Sequence, residues 1–238
     1  VFRGWWGLIN EELKALSHRS VSGIISQGGT ILKTARCAEF RTEEGQKRAH
    51  ETIKKNNIDA LAVIGGNGSF AAAHEFYKKY KVPCVGIAAS IDNDVNGIDY
   101  TIGTDTAINT ALDAIDKIRD TATSMERIFV VEVMGRESGF IALTVALAGG
   151  CEDVIIPERE LDRTVVLGHV QRGGRPTAFS RDLALGLGRA AVDCLIAGKK
   201  DIALGLSEGK TVEIPFEAAI KKKELKFNNF YNLIKILT

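Results

Sequence analysis

Short apolar runs alternate with longer stretches of helical periodicity along most of the chain, the pattern of a parallel sheet covered by helices. Asp59-Ala-Leu-Ala-Val-Ile64 reads as a buried strand, Gly65-Gly-Asn-Gly68 as a loop and Ser69 to Lys79 as a helix. Cys84-Val-Gly-Ile-Ala88 reads as a second strand. Ala107, Ile108, Ala111, Leu112, Ile115 and Ile118 recur at helical spacing and predict an amphipathic helix. Ile128-Phe-Val-Val-Glu-Val133 predicts a further strand, Ser138 to Ala148 a helix, and Thr177 to Ala197 another. The tail from Lys221 is basic, then amphipathic, and predicts a terminal helix.

One interval does not fit. Val154-Ile-Ile156 and Val165-Val-Leu167 both read as strands, with only Pro157 to Thr164 between them. A parallel crossover needs about a dozen residues or more. Either the two form a hairpin, or a segment found in a complete sheet is absent here.

The densest chemistry lies between the second strand and the helix after it. Residues 90 to 105, Ser-Ile-Asp-Asn-Asp-Val-Asn-Gly-Ile-Asp-Tyr-Thr-Ile-Gly-Thr-Asp, hold four aspartates and two glycines. Carboxylates this close repel one another and need cations, hydrogen bonds or solvent. Open α/β folds build their sites at such strand ends. One carboxylate of Asp92-Asn93-Asp94 can accept a hydroxyl proton while its neighbour holds Mg²⁺; the alternative is an Asx turn capped by its own side chains.

Gly66-Asn67-Gly68-Ser69 sits between strand and helix, where glycines let the backbone approach an oxyanion and the helix start offers free N–H groups. It could equally be a turn with no ligand. Met134-Gly135-Arg136 follows the Ile128 strand, with Arg127 just before it; Gly168-His169-Val-Gln-Arg172 follows the Val165 strand, with Arg163 just before it. Each arginine alone reads as a surface charge, but together at strand ends they suit a phosphorylated substrate, which guanidinium binds bidentately. Trp5 and Trp6 read as packing residues, and Lys221-Lys-Lys223 as a solvated helix face.

Composition narrows the field. The 238 residues are 45% hydrophobic and 26% charged, with net charge +1, enough for one large domain or two small ones. So small a charge argues against a nucleic-acid binder. Cys37, Cys84, Cys151 and Cys194 are scattered, which argues against a thiolate metal site or disulfide framework and for a reducing, cytoplasmic setting. No run approaches the roughly 20 apolar residues that span a bilayer, and no signal-peptide pattern opens the chain. Val1 in place of Met leads us to expect that the natural start is missing.

Taken in order, these motifs resemble the 6-phosphofructokinase family, most densely in Ser90 to Gly97, Ile115 to Thr121, Val130 to Arg136 and Leu167 to Gly174. The resemblance implies transfer of the γ-phosphoryl of ATP to the 1-hydroxyl of fructose 6-phosphate, with Mg²⁺, in glycolysis. It makes Asp92 the catalytic base, flanked by Ser90 and by Asp94 as substrate and Mg²⁺-linked contacts. It assigns Met134, Gly135, Arg136, His169 and Arg172 to the sugar phosphate. It implies that Arg127 and Arg163 reach a neighbouring subunit's substrate, hence an oligomer, usually a tetramer. Arg36 and Cys37 match a nucleotide-contacting pair, Gly66, Asn67, Gly68 and Ser69 the phosphate loop, and Arg119 and Glu152 an effector site.

The departures are specific. Asn67 stands where the family usually has an Mg²⁺-binding aspartate; its amide oxygen can coordinate but brings no charge, which predicts weaker metal binding or a second ligand that compensates. The family's first glycine-rich loop, and a helix-strand-helix segment between Glu158 and Arg163 with a sugar-binding glutamate and basic effector residues, are expected but not found. The rivals are a pyrophosphate-dependent phosphofructokinase, a non-catalytic sugar-phosphate-binding paralogue and, more distantly, a lipid or NAD kinase. Gly68 and Ala89 occupy the positions where the pyrophosphate branch would carry an aspartate and a lysine, so ATP is the expected donor. The expected fold is two three-layer α/β/α lobes with mostly parallel sheets and the site in the cleft between them. A nucleotide lobe would hold residues 1–103 plus 171–221, and a sugar-phosphate and effector lobe 104–170 plus 222–238.

Overall fold

The structure, a computed structural model, describes residues 1–125, 128–158, 171, 173–225 and 233–234. Its sheet has four strands in the order β1 (Leu61–Gly65), β2 (Cys84–Ala88), β3 (Ile202–Ser207), β4 (Lys210–Pro215). The first three run parallel and β4 returns antiparallel. β2 is buried along its whole length, as a central parallel strand covered on both faces must be. Val85 and Ile87 face α6 (Ala178–Ile196) through Leu183, Leu187 and Ala191. Cys84 and Ala88 face α3 (Asn67–Tyr80) and the short α7 (Phe216–Ala219) through Phe70, Ala73 and Phe216. The fold is α/β, and this unit is a three-layer sandwich.

Three further elements complete the surroundings. α1 (Gly4–Ile9) and α2 (Glu43–Lys55) close the edge beside β1, where Trp5 stacks on Phe40 at 4.3 Å, so this tryptophan is a packing residue as expected. α4 (Thr104–Met125) starts earlier and ends later than its apolar spacing implies, and packs Ala107, Ile108, Ala111 and Ile115 on Ile141 and Val145 of α5 (Phe140–Gly149).

The hairpin β3–β4 was not anticipated. Glu208 and Gly209, at φ 49° and 73°, form a two-residue turn between the strands, the left-handed geometry that tight hairpins prefer. Its signal was present in the alternation Thr211-Val212-Glu213-Ile214 after Glu208-Gly209.

Two expected strands are not assigned as strands among the described residues. Residues 128–133 and 154–156 are not extended ladders, and Ile128 is 96% exposed. Over 128–133 only Glu132 is a bridge residue, and no ladder between described residues includes either run. The expected strand 165–167 lies outside the described residues. The terminal helix is not seen over 221–225, where Lys222 instead bridges Val95, and most of the remaining tail lies outside the described residues.

Gly86 shows how tightly the three layers meet. A Cβ there would lie 2.6 Å from ring carbons of both Phe216 and Phe70. Gly86→Ala therefore should destabilise the protein by about 1–3 kcal/mol through overpacking. Urea unfolding of the variant against the parent checks this, and equal midpoints would mean the rings move aside freely.

Candidate active site

The ends of β1 and β2 are locked side by side, with the Ala89 N–H donating to Gly65 O at 2.9 Å. Two loops that are far apart in sequence thus share one edge. From β1 the chain passes through Gly66 into α3, whose first residue is Asn67. From β2 it passes through Ser90 into the acid loop. Gly66 is needed small: a Cβ there would sit 3.3 Å from Ser90 Cβ and 4.0 Å from Asp94 Oδ1. Asn67 Nδ2 donates to Asp94 O at 2.9 Å, pinning the two loops together.

Asn93 organises the acid loop. It is fully buried at φ 51°, in the left-handed region that asparagine tolerates. Its Oδ1 accepts from the Thr101 N–H at 3.1 Å and its Nδ2 donates to Asp99 O at 2.7 Å. The Thr101 and Thr104 hydroxyls both donate to Ser90 O, and the Asp92 N–H donates to Ser90 Oγ. The loop is closed on itself, and Asp92 and Asp94 flank the residue that closes it.

Asp92 is largely buried, and its Oδ2 lies 3.2 Å from Arg136 Nε, whose side chain is mostly exposed. Arg136 reaches it from a turn at φ 55°, in which the Ser138 N–H donates to Gly135 O. That turn is tied down at both ends. The Met134 N–H donates to Gln171 Oε1 at 2.6 Å, and the Gly139 N–H donates to both oxygens of Glu158, at 2.9 and 3.1 Å. Gln171 and Glu158 are positioning contacts that sequence reasoning missed, although both lie inside or beside runs singled out above.

Asn67 Oδ1 and Asp94 Oδ1 are buried without a hydrogen-bond partner. Two orphaned oxygens on adjoining loops are costly unless something positive or a donor meets them. They are hard oxygen donors, which suits Mg²⁺ with its remaining positions filled by water and phosphate. Among the described residues no cluster of three or more histidine, cysteine or acidic side chains could hold a metal, and burial pushes the Cys84 thiol up to about 12.

The other expected site residues fall in three groups. Ser69 caps the turn, its N–H donating to Gly66 O, while a side chain at Gly68 would meet open space. Arg36 is exposed and Cys37 packs beside Phe40, and no hydrogen bond or ion pair joins either to the acid loop among the described residues. Arg119 donates to the terminal carbonyls Gly149 O and Gly150 O of α5, a cation at a helix C-terminus, with exposed Glu152 nearby. Arg127, Arg163, His169 and Arg172 lie outside the described residues.

Lys223 corrects the reading of Lys221-Lys-Lys223 as a solvated helix face. Its Nζ donates to Asn93 O and Ile98 O, and burial pulls its pKa down to about 8 despite the attraction of Asp99 and Asp94. The tail folds inward because those loop carbonyls need a donor.

Acids and a glycine turn at the carboxyl edge of a parallel sheet define an α/β protein with its site at the strand ends. The chain matches the model of the family described as Phosphofructokinase over residues 1–164. It is 42% identical to the ATP-dependent 6-phosphofructokinase 2 of Bacteroides thetaiotaomicron over 286 residues, covering all of this chain and 88% of the relative. It is 41% identical to the ATP-dependent 6-phosphofructokinase of Thermotoga petrophila over 283 residues, covering all of this chain and 89% of that one. The solved phosphofructokinase of Saccharomyces cerevisiae superposes with a TM-score of 0.88 at 29% identity, over 92% of this chain but only 40% of the yeast chain. The chain belongs to the phosphofructokinase family. Both curated alignments are longer than its 238 residues while covering all of it, so the relatives carry internal residues that it lacks.

The low pKa of Lys223 has a defined consequence. The unfolded chain keeps that proton to the ordinary lysine value of 10.5, whereas the folded chain releases it at about 8. Between these the unfolded state binds more protons, so this group makes stability rise with pH across that window. Denaturation at pH steps across it should show the rise in the parent and lose this share of it in Lys223→Met; parallel curves would mean the ammonium is not desolvated.

Proposed function

We propose that the protein transfers the γ-phosphoryl of ATP to the 1-hydroxyl of fructose 6-phosphate, with Asp92 as the base that accepts the hydroxyl proton. The observation that carries the reading is the Asp92–Arg136 pair at 3.2 Å, one residue from the acid loop's buried centre. A phosphoryl-transfer site needs a proton acceptor and nearby cationic charge, because catalysis there is mostly positioning and charge stabilisation. In this reading Arg136 turns from Asp92 to the sugar phosphate on binding. Ser90 and Asp94 orient the acceptor, Met134 and Gly135 line the sugar side, and His169 and Arg172 add to its phosphate contacts. Gly66, Asn67, Gly68 and Ser69 cradle the donor's phosphates, with Arg36 and Cys37 toward the nucleoside.

Asn67 and Asp94 would hold Mg²⁺, and their unpartnered oxygens support that assignment. The ion would neutralise charge on the transferring phosphate. ATP is preferred to pyrophosphate because Gly68 leaves open space where a side chain would intrude on the donor.

A coupled assay with fructose 6-phosphate, run separately with ATP and with pyrophosphate, tests the reading and should give turnover with ATP. Asp92→Asn should cut kcat by about 10²–10⁴ with little change in the KM for the sugar phosphate. An unchanged rate would remove Asp92 from the chemistry. Sugar-phosphate binding without turnover in the parent would instead favour the non-catalytic reading that Asn67 and the missing internal residues motivate.

We place the protein in the cytoplasm as a homo-oligomer, a tetramer, in which Arg127 and Arg163 serve a neighbour's site and Arg119 and Glu152 an effector. Support for self-association comes from Leu185, Val192 and Ile196, exposed along one face of α6 at helical spacing. No helix among the described residues is long and apolar enough to cross a membrane. Light scattering should give a mass near four times 25.8 kDa, and a monomeric mass would overturn the assembly.

A further inference from the structure

The back of the acid loop is held by a side chain from outside it. Lys223 Nζ donates to Asn93 O at 3.0 Å and to Ile98 O at 2.6 Å, and lies 5.6 Å from the ring centroid of Phe140. The segment carrying it is stitched to the same loop. The Asn96 N–H donates to Ala219 O, Asn96 Nδ2 donates to Ala218 O, and Val95 pairs with Lys222.

The direction of the Asn93 carbonyl matters because its peptide is a rigid plane that also carries the Asp94 N–H. Asn93 occupies the left-handed region at φ 51° and lies between the two functional aspartates. Its side chain is fixed by Thr101 and Asp99 inside the loop, whereas its carbonyl is met by the lysine. The same ammonium sits over Phe140, the first residue of α5, and the turn leading into α5 carries Arg136, the partner of Asp92. One cation thus touches both the loop that presents the acids and the helix that follows the arginine turn. An apolar side chain of like length would fill the space but leave both carbonyls without this donor.

Resting on the phosphoryl-transfer reading above, we propose that Lys223 is a positioning residue, whose hold on the Asn93 and Ile98 carbonyls sets the directions of the Asp92 and Asp94 carboxylates. It touches neither substrate nor the transferring group. Its effect is on geometry, and a displacement of about 1 Å at a reacting group can cost on the order of 10²-fold in rate.

The test compares the parent, Lys223→Met, Lys223→Arg and Asp92→Asn in the ATP and fructose 6-phosphate assay. Sugar-phosphate binding by calorimetry, circular dichroism and amide hydrogen exchange are followed in parallel. Lys223→Met should lower kcat by about 10- to 100-fold, with the sugar-phosphate KM and dissociation constant within about threefold and the dichroism unchanged. Amides of the acid loop should exchange faster in this variant, and Lys223→Arg, which keeps a cationic donor, should recover most of kcat and of the protection. Parental kcat in Lys223→Met overturns the proposal, as does loss of kcat and sugar binding in step without rescue by arginine, the mark of a purely structural part. A parent that does not turn over, like Asp92→Asn, would sink the functional reading instead. The exchange data would still decide Lys223, since unchanged acid-loop protection in Lys223→Met refutes its hold on the loop.

Discussion

An acid-rich loop can stand at the end of a buried strand only if something other than its own carboxylates holds its backbone, and here that something is Asn93. Buried in a left-handed conformation, it uses its amide to close the loop through Thr101 and Asp99. On either side of it, Asp92 meets Arg136 and Asp94 faces Asn67 across the glycine turn. The left-handed backbone costs free energy, which persists only where surrounding contacts over-determine it. The threonine hydroxyls on Ser90 O and the lysine on Asn93 O are such contacts.

Parallel pairing turns this local knot into a site. Were β1 and β2 not in register through Gly65 and Ala88, the Ala89–Gly65 hydrogen bond would not form, and Gly66 would not sit against Ser90 and Asp94. That register rests on the same layers that make Gly86 obligatory, since the rings of Phe70 and Phe216 press on the middle of β2. The chemistry at the edge and the packing at the centre are two ends of one strand.

How much of this is legible in the sequence differs between the halves. The strands β1 and β2, the helices after them, and the acid and glycine loops are readable, because apolar runs are bounded by sharp polar breaks; β2 is buried throughout, whereas β1, expected to be buried, is partly exposed, with Ile64 at 58%. The resemblance implied that Asp92 and Arg136 share one site, but their direct pairing was not anticipated. The hairpin β3–β4 was missed because Glu208-Gly209 is a weaker turn signal than Asn-Gly, and its strands follow a long helix. Lys223 was misread because a run of lysines looks solvated, and nothing local reveals that two carbonyls some 125 positions away need a donor. Runs 128–133 and 154–156 have the composition of buried strands, but a strand is a property of a pair, and their expected neighbour 165–167 lies outside the described residues.

An arginine facing Asp92 from an exposed position sits on a turn held by Gln171 and Glu158. A turn so held can move its guanidinium by side-chain rotation alone, because Met134 and Gly139 stay tethered while Arg136 swings. On the reading proposed above, a ligand phosphate offers the Arg136 guanidinium two parallel bonds in place of its single contact with Asp92. The buried partner cannot follow, because its loop is locked by Asn93. On the proposed reading, substrate binding would draw Arg136 away while the largely buried Asp92 keeps its place in the loop.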